Sequence, residues 1–256
     1  MQRPLIEICV DSADAAYAAE KCGAHRIELC SSVKALGGVT PSAGTILTTL
    51  KAIKIPVMVI VRPRGGDFLY TELEFESMLQ DIHFVKQAGA HGVVIGILTA
   101  DGKVDMDRNR RIDINISSLI EAARPMEVTF HRAFDMVADP VVALDDLIHL
   151  GVDRVLTSGQ QKTAVDGIDL LADLQKHAKD KIIIMPGCGI NQHTVRQIMQ
   201  HVEPTEIHLS ALKTVKGGML YRNIQASMSS DSSNEQEYNV DIADTDKINA
   251  VIKALE

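Results

Sequence analysis

Thiols and carboxylates in a repeated spacing are the residues of this chain best placed to do chemistry. Glu7-Ile8-Cys9 and Glu28-Leu29-Cys30 set the same two groups one residue apart, twice near the start of the chain. In an extended strand, residues i and i+2 share a face, so each glutamate travels with its cysteine. Thiolates are soft ligands, and among first-row ions Cu(I) suits a small thiolate set best. Neighbouring parallel strands in register would hold Cys9 and Cys30 about 4.8 Å apart in backbone, close enough to share one ion. The plainer reading is that free cysteines pack as small hydrophobes. A disulfide would suit the same spacing but not a reducing cytosol. The glutamates, once inside a fold, need a cation or a proton.

A second set of polar residues points to anions. The run from Val57 to Phe68 is apolar and mostly β-branched, then turns abruptly to Arg62-Pro63-Arg64-Gly65-Gly66-Asp67. Arg62 and Arg64 share parity with Met58 and Ile60, so a pleated chain sends both guanidiniums to one side, where they are the expected partners of Glu7 and Glu28. Arginine forks also match a carboxylate or phosphate, and their charge is permanent. His131, with Arg132 beside it, closes another strand-like run and could serve as general base or ligand. His208 shares parity with Ser210. Gly187-Cys188-Gly189 forms a glycine turn ahead of a helix, where backbone N–H groups often receive phosphate, and Ser158 could add a hydroxyl. An enzyme built from these parts would use Arg62, Arg64, Asp67, Arg132, Ser158, Gly187, Gly189 and His208 to hold a small anionic metabolite, phosphorylated or not. His131, Glu28 and Glu7 would then do acid–base work of the lyase, isomerase or hydrolase type.

The elements that must position these groups follow from an internal repeat. Gly23-Ala-His-Arg-Ile-Glu-Leu, Gly89-Ala-His-Gly-Val-Val-Ile and Gly151-Val-Asp-Arg-Val-Leu-Thr are variants of one phrase, starting 66 and then 62 residues apart. Other strand-like runs fall between them, so the unit is about 32 residues, one strand and one helix. Eight such units fill the chain and predict a (β/α)₈ barrel of the TIM type, one domain over 1–256. Strands are expected at Leu5–Val10, Arg26–Cys30, Val57–Arg62, Gly92–Gly96, Met126–His131, Asp153–Thr157, Lys181–Met185 and Glu206–Ser210. Helix starts are signalled by Ser12, Thr40-Pro41, Thr71 with Glu74, Asp139-Pro140 and Asn191. The last unit breaks the rhythm, with 212–244 an irregular polar segment and 245–256 a terminal helix. An open doubly wound sheet is the rival architecture, but no GxGxxG follows the first strand, so no nucleotide cofactor is expected. In a barrel the outer strand face is covered by apolar helices, so charged strand residues should point inward and gather at the C-terminal mouth.

Composition narrows the partners. A net charge of −8 without a Lys/Arg-rich block argues against nucleic acid or an anionic membrane. No run reaches transmembrane length, and a glutamate interrupts the N-terminal apolar stretch before it could act as a signal peptide, so a cytoplasmic protein is expected. Four cysteines without CxxC spacing do not make a disulfide framework.

Taken together, Glu7-Ile-Cys-Val-Asp-Ser, Arg26-Ile-Glu-Leu-Cys, Gly37-Gly with Thr40-Pro-Ser, Arg62-Pro-Arg-Gly-Gly-Asp-Phe, Val128-Thr-Phe-His-Arg-Ala-Phe-Asp-Met, Arg154-Val-Leu-Thr-Ser-Gly and Met185-Pro-Gly-Cys-Gly-Ile resemble the CutC copper homeostasis family over most of the chain. The resemblance implies a cytoplasmic TIM-type barrel, a homo-oligomer with a dimer favoured, linked to copper tolerance and binding Cu(I) through thiols that correspond to Cys9 and Cys30. Cys188 departs from the small residue expected in its turn and would be an extra thiol of this chain.

Overall fold

A computed structural model of the chain describes residues 3–106, 116–223, 225–226 and 236–256. Its strands are β1 (Leu5–Val10), β2 (Arg26–Leu29), β3 (Val57–Ile60), β4 (Gly92–Ile95), β5 (Glu127–Phe130), β6 (Arg154–Thr157), β7 (Ile183–Pro186) and β8 (Glu206–Ser210). From β1 to β7 each strand pairs in parallel with the next, and β8 returns beside β1, giving the order β7-β6-β5-β4-β3-β2-β1-β8. The sheet curls until β7 and β8 lie side by side, a nearly closed TIM-type barrel. An open doubly wound sheet would instead reverse its strand order at a switch point.

The helices α1 (Ala13–Lys21), α2 (Val33–Leu36), α3 (Ala43–Ala52), α4 (Glu72–Ala88), α5 (Ile116–Ala123), α6 (Pro140–His149), α7 (Ile168–Ala178), α8 (Val195–His201) and α9 (Thr245–Ala254) connect and cover the strands. Their starts follow local chemistry. Ser12 accepts from the Ala15 N–H, Thr71 and Glu74 form a reciprocal capping box, and Asp139 caps a helix that begins with Pro140. α3 begins two positions later than Thr40-Pro41 suggests, with Ser42 as its cap.

The repeated phrase has a structural reason. Gly23, Gly89 and Gly151 take left-handed φ values of 93°, 86° and 71° where a helix ends, a conformation glycine adopts at no steric cost. Two residues later a side chain accepts a backbone N–H from the first or second residue of an adjacent strand: His25 Nδ1 from Ile6, His91 Nδ1 from Val57 and Asp153 Oδ2 from Val128, at 3.0, 3.2 and 2.8 Å. These residues finish the N-terminal rim of the barrel rather than taking part in its mouth.

Strand alternation splits the interior in two. Ile6, Ile8, Ile27, Leu29, Val57 and Val59 face outward into the apolar layer beneath the helices, and Cys9, Cys30, Met58, Ile60 and Val94 form a separate cluster inside the barrel. Gly92 lacks a side chain because a Cβ there would lie 2.1 Å from Met58 Cε, so the inner layer closes around the methionine.

Residues 212–244 are not irregular throughout. β9 (Leu212–Lys216) and β10 (Asn239–Ala243) pair antiparallel, with Ala243 opposite Leu212 and Asn239 opposite Lys216. Lys34 of α2 donates to Thr214 Oγ1 and to the Asp241 carboxylate, tying the pair to the barrel rim. Positions 224 and 227–235 of that segment lie outside the described residues. Among the described residues no helix is long and apolar enough to cross a membrane.

Candidate metal and ligand site at the barrel mouth

The register of β1 and β2 decides which groups meet. Cys9 lies opposite Glu28, not Cys30, because the strands are staggered by two residues, as a tilted barrel requires. The expected in-register pairing is thereby corrected. The thiols meet diagonally all the same, with Sγ atoms 3.7 Å apart. Cys9 Sγ, Cys30 Sγ and a Glu28 carboxylate oxygen all lie within 4.8 Å of one another, each residue buried.

His208 on β8 completes this side. Its Nδ1 bonds Glu7 Oε1 at 2.8 Å and its Nε2 lies 3.8 Å from Glu28 Oε2. Burial alone would drive the imidazole toward neutrality, but the Cys9 and Glu7 contacts and the two carboxylate charges raise its pKa well above 6.5. For Glu7, burial pushes upward, and the His208 bond with the Arg26 charge outweighs it, bringing the carboxyl down to about 2. Glu28 is the opposite case: burial first, then the Cys9 charge, push it well above the usual carboxylate range. The shared bond between the thiols lowers Cys9 to about 6 and raises Cys30 well above 9. The cluster therefore favours one thiolate, one imidazolium and a protonated Glu28.

Neither Arg62 nor Arg64 neutralises the glutamates. Glu7 pairs with Arg26, whose Nε lies 2.5 Å from Oε2, and Arg26 also binds Glu206. Arg154 joins Glu206 at 3.0 Å and Glu127 at 2.7 Å, making an ionic layer below the mouth. Sequence parity held the signal, since Arg26 shares a face with Glu28 and Cys30, and Glu206 shares one with His208. Arg62 and Arg64 lie beyond the last residue of β3, where the pleat no longer dictates direction. Arg64 turns outward to Glu74 of the α4 capping box and to Asp67, at 2.6 and 2.9 Å. Arg62 is buried and donates to the carbonyls of Leu36, Gly38 and Gly66.

A cavity of about 700 Å³ opens at the mouth, lined by Cys9, Glu28, Arg62, Phe68, His131, Arg132, Gly189 and His208 among others. Arg64, Asp67, Ser158 and Gly187 are not on its walls. Arg132 is engaged with Asp135 and the Ser158 hydroxyl, at 2.7 and 3.0 Å. Gly187 donates its N–H to Thr157 O, and Thr194 Oγ1 donates to Gly189 O while accepting from the Asn191 N–H. His131 Nδ1 accepts the Ala133 N–H at 3.1 Å, and Nε2 has no partner. Burial, with the nearby Arg62 charge, lowers this histidine to about 3. Cys188 stands at φ 73°, with Sγ 3.0 Å from Lys162 O, on the cavity wall but outside the thiol cluster. Phe68, a residue without a role on sequence grounds, packs between Arg62 and His131, 5.0 Å from the guanidinium and 5.1 Å from the imidazole.

The fold and this site define a (β/α)₈ barrel with a paired-thiol, carboxylate and histidine cluster at its C-terminal mouth. The chain belongs to the CutC family, whose model matches residues 4–213. It is 49% identical over 250 residues to a CutC family protein of Parabacteroides distasonis, covering 97% of this chain and 99% of that one. The human copper homeostasis protein cutC homolog is 44% identical over 252 residues, covering 97% of this chain and 89% of its own. A crystal structure of CutC from Streptococcus agalactiae matches with a TM-score of 0.74 at 30% identity, over 80% of this chain and 98% of that one. Phosphoribosyl anthranilate isomerase from Thermotoga maritima, at 13% identity and TM-score 0.56 over 98% of each chain, shares the fold alone.

Proposed function

We propose that this chain serves copper homeostasis by binding Cu(I) through Cys9 and Cys30, with Glu28 and His208 completing the ligand set. The observation that carries the reading is the 3.7 Å separation of two buried thiols beside a buried carboxylate. With metal–sulfur bonds of about 2.3 Å, sulfurs at that spacing subtend about 107° at a shared ion, which leaves directions open for further ligands. A linear pair would need the sulfurs about 4.6 Å apart on the same bond length. Glu28 lies beside the thiols and the Nε2 of His208 lies 3.8 Å from its carboxylate, while Glu7 on Nδ1 fixes the imidazole as second-sphere carboxylates commonly do for metal-binding histidines. Ligation requires the thiols and the imidazole to lose their protons, so affinity rises with pH. The human relative's designation as a copper homeostasis protein homolog agrees with this reading. We place the protein in the reducing cytoplasm, where such thiols stay available, and as a homo-oligomer, for which sedimentation equilibrium is the check.

The test is a Cu(I) titration of the reduced protein against a competing chromophoric chelator, for wild type and the Cys9→Ser/Cys30→Ser double variant. Binding of one ion per chain that weakens at least about 100-fold, or ~2.7 kcal/mol, in the double variant is the expected result. Equal affinity in the two proteins would sink the proposal.

A further inference from the structure

The thiol cluster occupies only one side of the mouth, and a single ion does not account for a cavity of about 700 Å³. That volume is in the range of pockets for small organic molecules. The rest of the lining includes the apolar side chains of Phe68, Ile60 and Leu156, with Arg62 and His131 among its polar members. Both polar residues are more than nine-tenths buried.

Each is incompletely used. Arg62 spends Nη1 and Nη2 on backbone carbonyls, its Nε has no partner, and among the described residues no carboxylate pairs with it. A buried permanent charge without a counter-charge is costly; three carbonyls and the Phe68 ring offset part of that cost, and a bound anion would offset more of it. The Tyr70 hydroxyl beside the guanidinium is also without a partner. His131 has its tautomer fixed by its neighbour. Nδ1 accepts the Ala133 N–H, so the ring proton sits on Nε2, a donor with nothing to donate to. Gly96 keeps the ring in place, since a Cβ there would lie 2.4 Å from His131 Cε1. This part of the lining therefore offers one fixed cation, one neutral N–H donor and an apolar surface, which together suit an acceptor oxygen bearing negative charge on an apolar body.

We propose that the barrel mouth binds a small organic carboxylate, its oxygens received by Arg62 and the His131 Nε2–H and its apolar part lying against Phe68, Ile60 and Leu156. Phosphate is the less suited anion: the Gly187 N–H is already bonded within the fold, and α8 is a short helix that begins beyond the turn. This inference stands on Arg62 and His131 and does not depend on copper.

The experiment uses the metal-free full chain and isothermal titration with butyrate, succinate and benzoate, with butyramide and benzamide as neutral controls and inorganic phosphate as the competing anion. At least one carboxylate should saturate with a Kd below about 1 mM, with its amide at least about tenfold weaker. Arg62→Gln should weaken the bound carboxylate at least about tenfold, the loss of one charge-assisted contact. Because Arg62 also fastens three loop carbonyls, the wild-type protein supplies a second readout: the Arg62 Nε–H and His131 Nε2–H resonances should both move on titration. The proposal is overturned if no carboxylate saturates, if amide or phosphate binds as tightly, or if either resonance stays fixed at saturation.

Discussion

The two sets of polar groups at the barrel mouth are both buried, but one is charge-balanced and the other is not. On the β1, β2 and β8 side every ionised group has a counter-charge: Glu7 with Arg26 and His208, and Cys9 with His208. Elsewhere on the lining, Arg62 and His131 each keep one buried N–H that has no partner. Two histidines carry the contrast. His208 and His131 are both nearly inaccessible, yet one is raised well above 6.5 and the other lowered to about 3. Burial pushes both downward, and neighbours reverse the outcome for one: carboxylates surround His208, whereas an arginine stands near His131. In the first set charges answer one another, whereas in the second a buried cation and a neutral N–H donor have no acidic partner among the described residues.

The largest expected effect lies beneath the first set. Arg26→Met leaves Glu7 and Glu206 each short of a buried partner, and removing one member of such a pair costs about 3–5 kcal/mol. Urea denaturation should show that loss, and a change below about 1 kcal/mol would mean the ionic layer does not support the thiol cluster. Next comes Gly96→Ala, which puts a methyl group into the space of the His131 ring and the Ala133 Cβ and should cost about 1–3 kcal/mol through overpacking. Its effect belongs to the second set, so the Cys9 and Cys30 thiol titrations should stay where they are in wild type; a shift there would show that the sets are not independent.

A pH series sharpens the contrast further. His131 has a depressed folded pKa, so its contribution to stability is full above about 6.5 and is lost as the pH falls through about 3. His208 has a raised one, so its contribution is full below about 6.5 and is lost as the pH climbs through its folded value. Relative to His131→Phe, wild type should therefore lose up to about 1.4 kcal/mol per pH unit on acidification below 6.5. Imidazole ¹⁵N shifts should report His131 neutral at pH 5 and His208 protonated at pH 7, and the reverse assignment would remove the contrast altogether. The smallest effect is expected for Cys188→Gly. Relief of the left-handed backbone and loss of the Lys162 contact offset each other, leaving a net change within about 1 kcal/mol. Cu(I) affinity should stay within about twofold, because this thiol lies outside the cluster.

Much of this was legible in the chain alone. The alternation of strands and helices was written in the repeated Gly-Ala-His phrase and in the capping residues, because those features act over a few residues of chain. Parity alone put Glu7, Cys9, Glu28 and Cys30 inside the barrel. It applied equally to Arg26 and Glu206 and would have named the true partners of the glutamates. It misled at Arg64, which follows the end of the strand and answers to Glu74 instead. The β9–β10 pair was also readable, since Asn239-Val-Asp-Ile-Ala alternates as a half-exposed strand does, but its polarity masked the period.

The amino-acid order by itself determined the barrel, the inward face of each strand and the residue types that gather at its C-terminal end, since period-two alternation and helix caps depend only on neighbours along the chain. What the tertiary structure alone decided was who meets whom. A stagger of two residues between β1 and β2 set Cys9 opposite Glu28 and still brought its sulfur to Cys30. The closing of the barrel carried His208 across the length of the chain to Glu7, and left Arg62 and His131 on the cavity lining, each with a buried N–H that has no partner. Interstrand shear and long-range electrostatic pairing depend on the whole closed sheet, so no local stretch of sequence contains them.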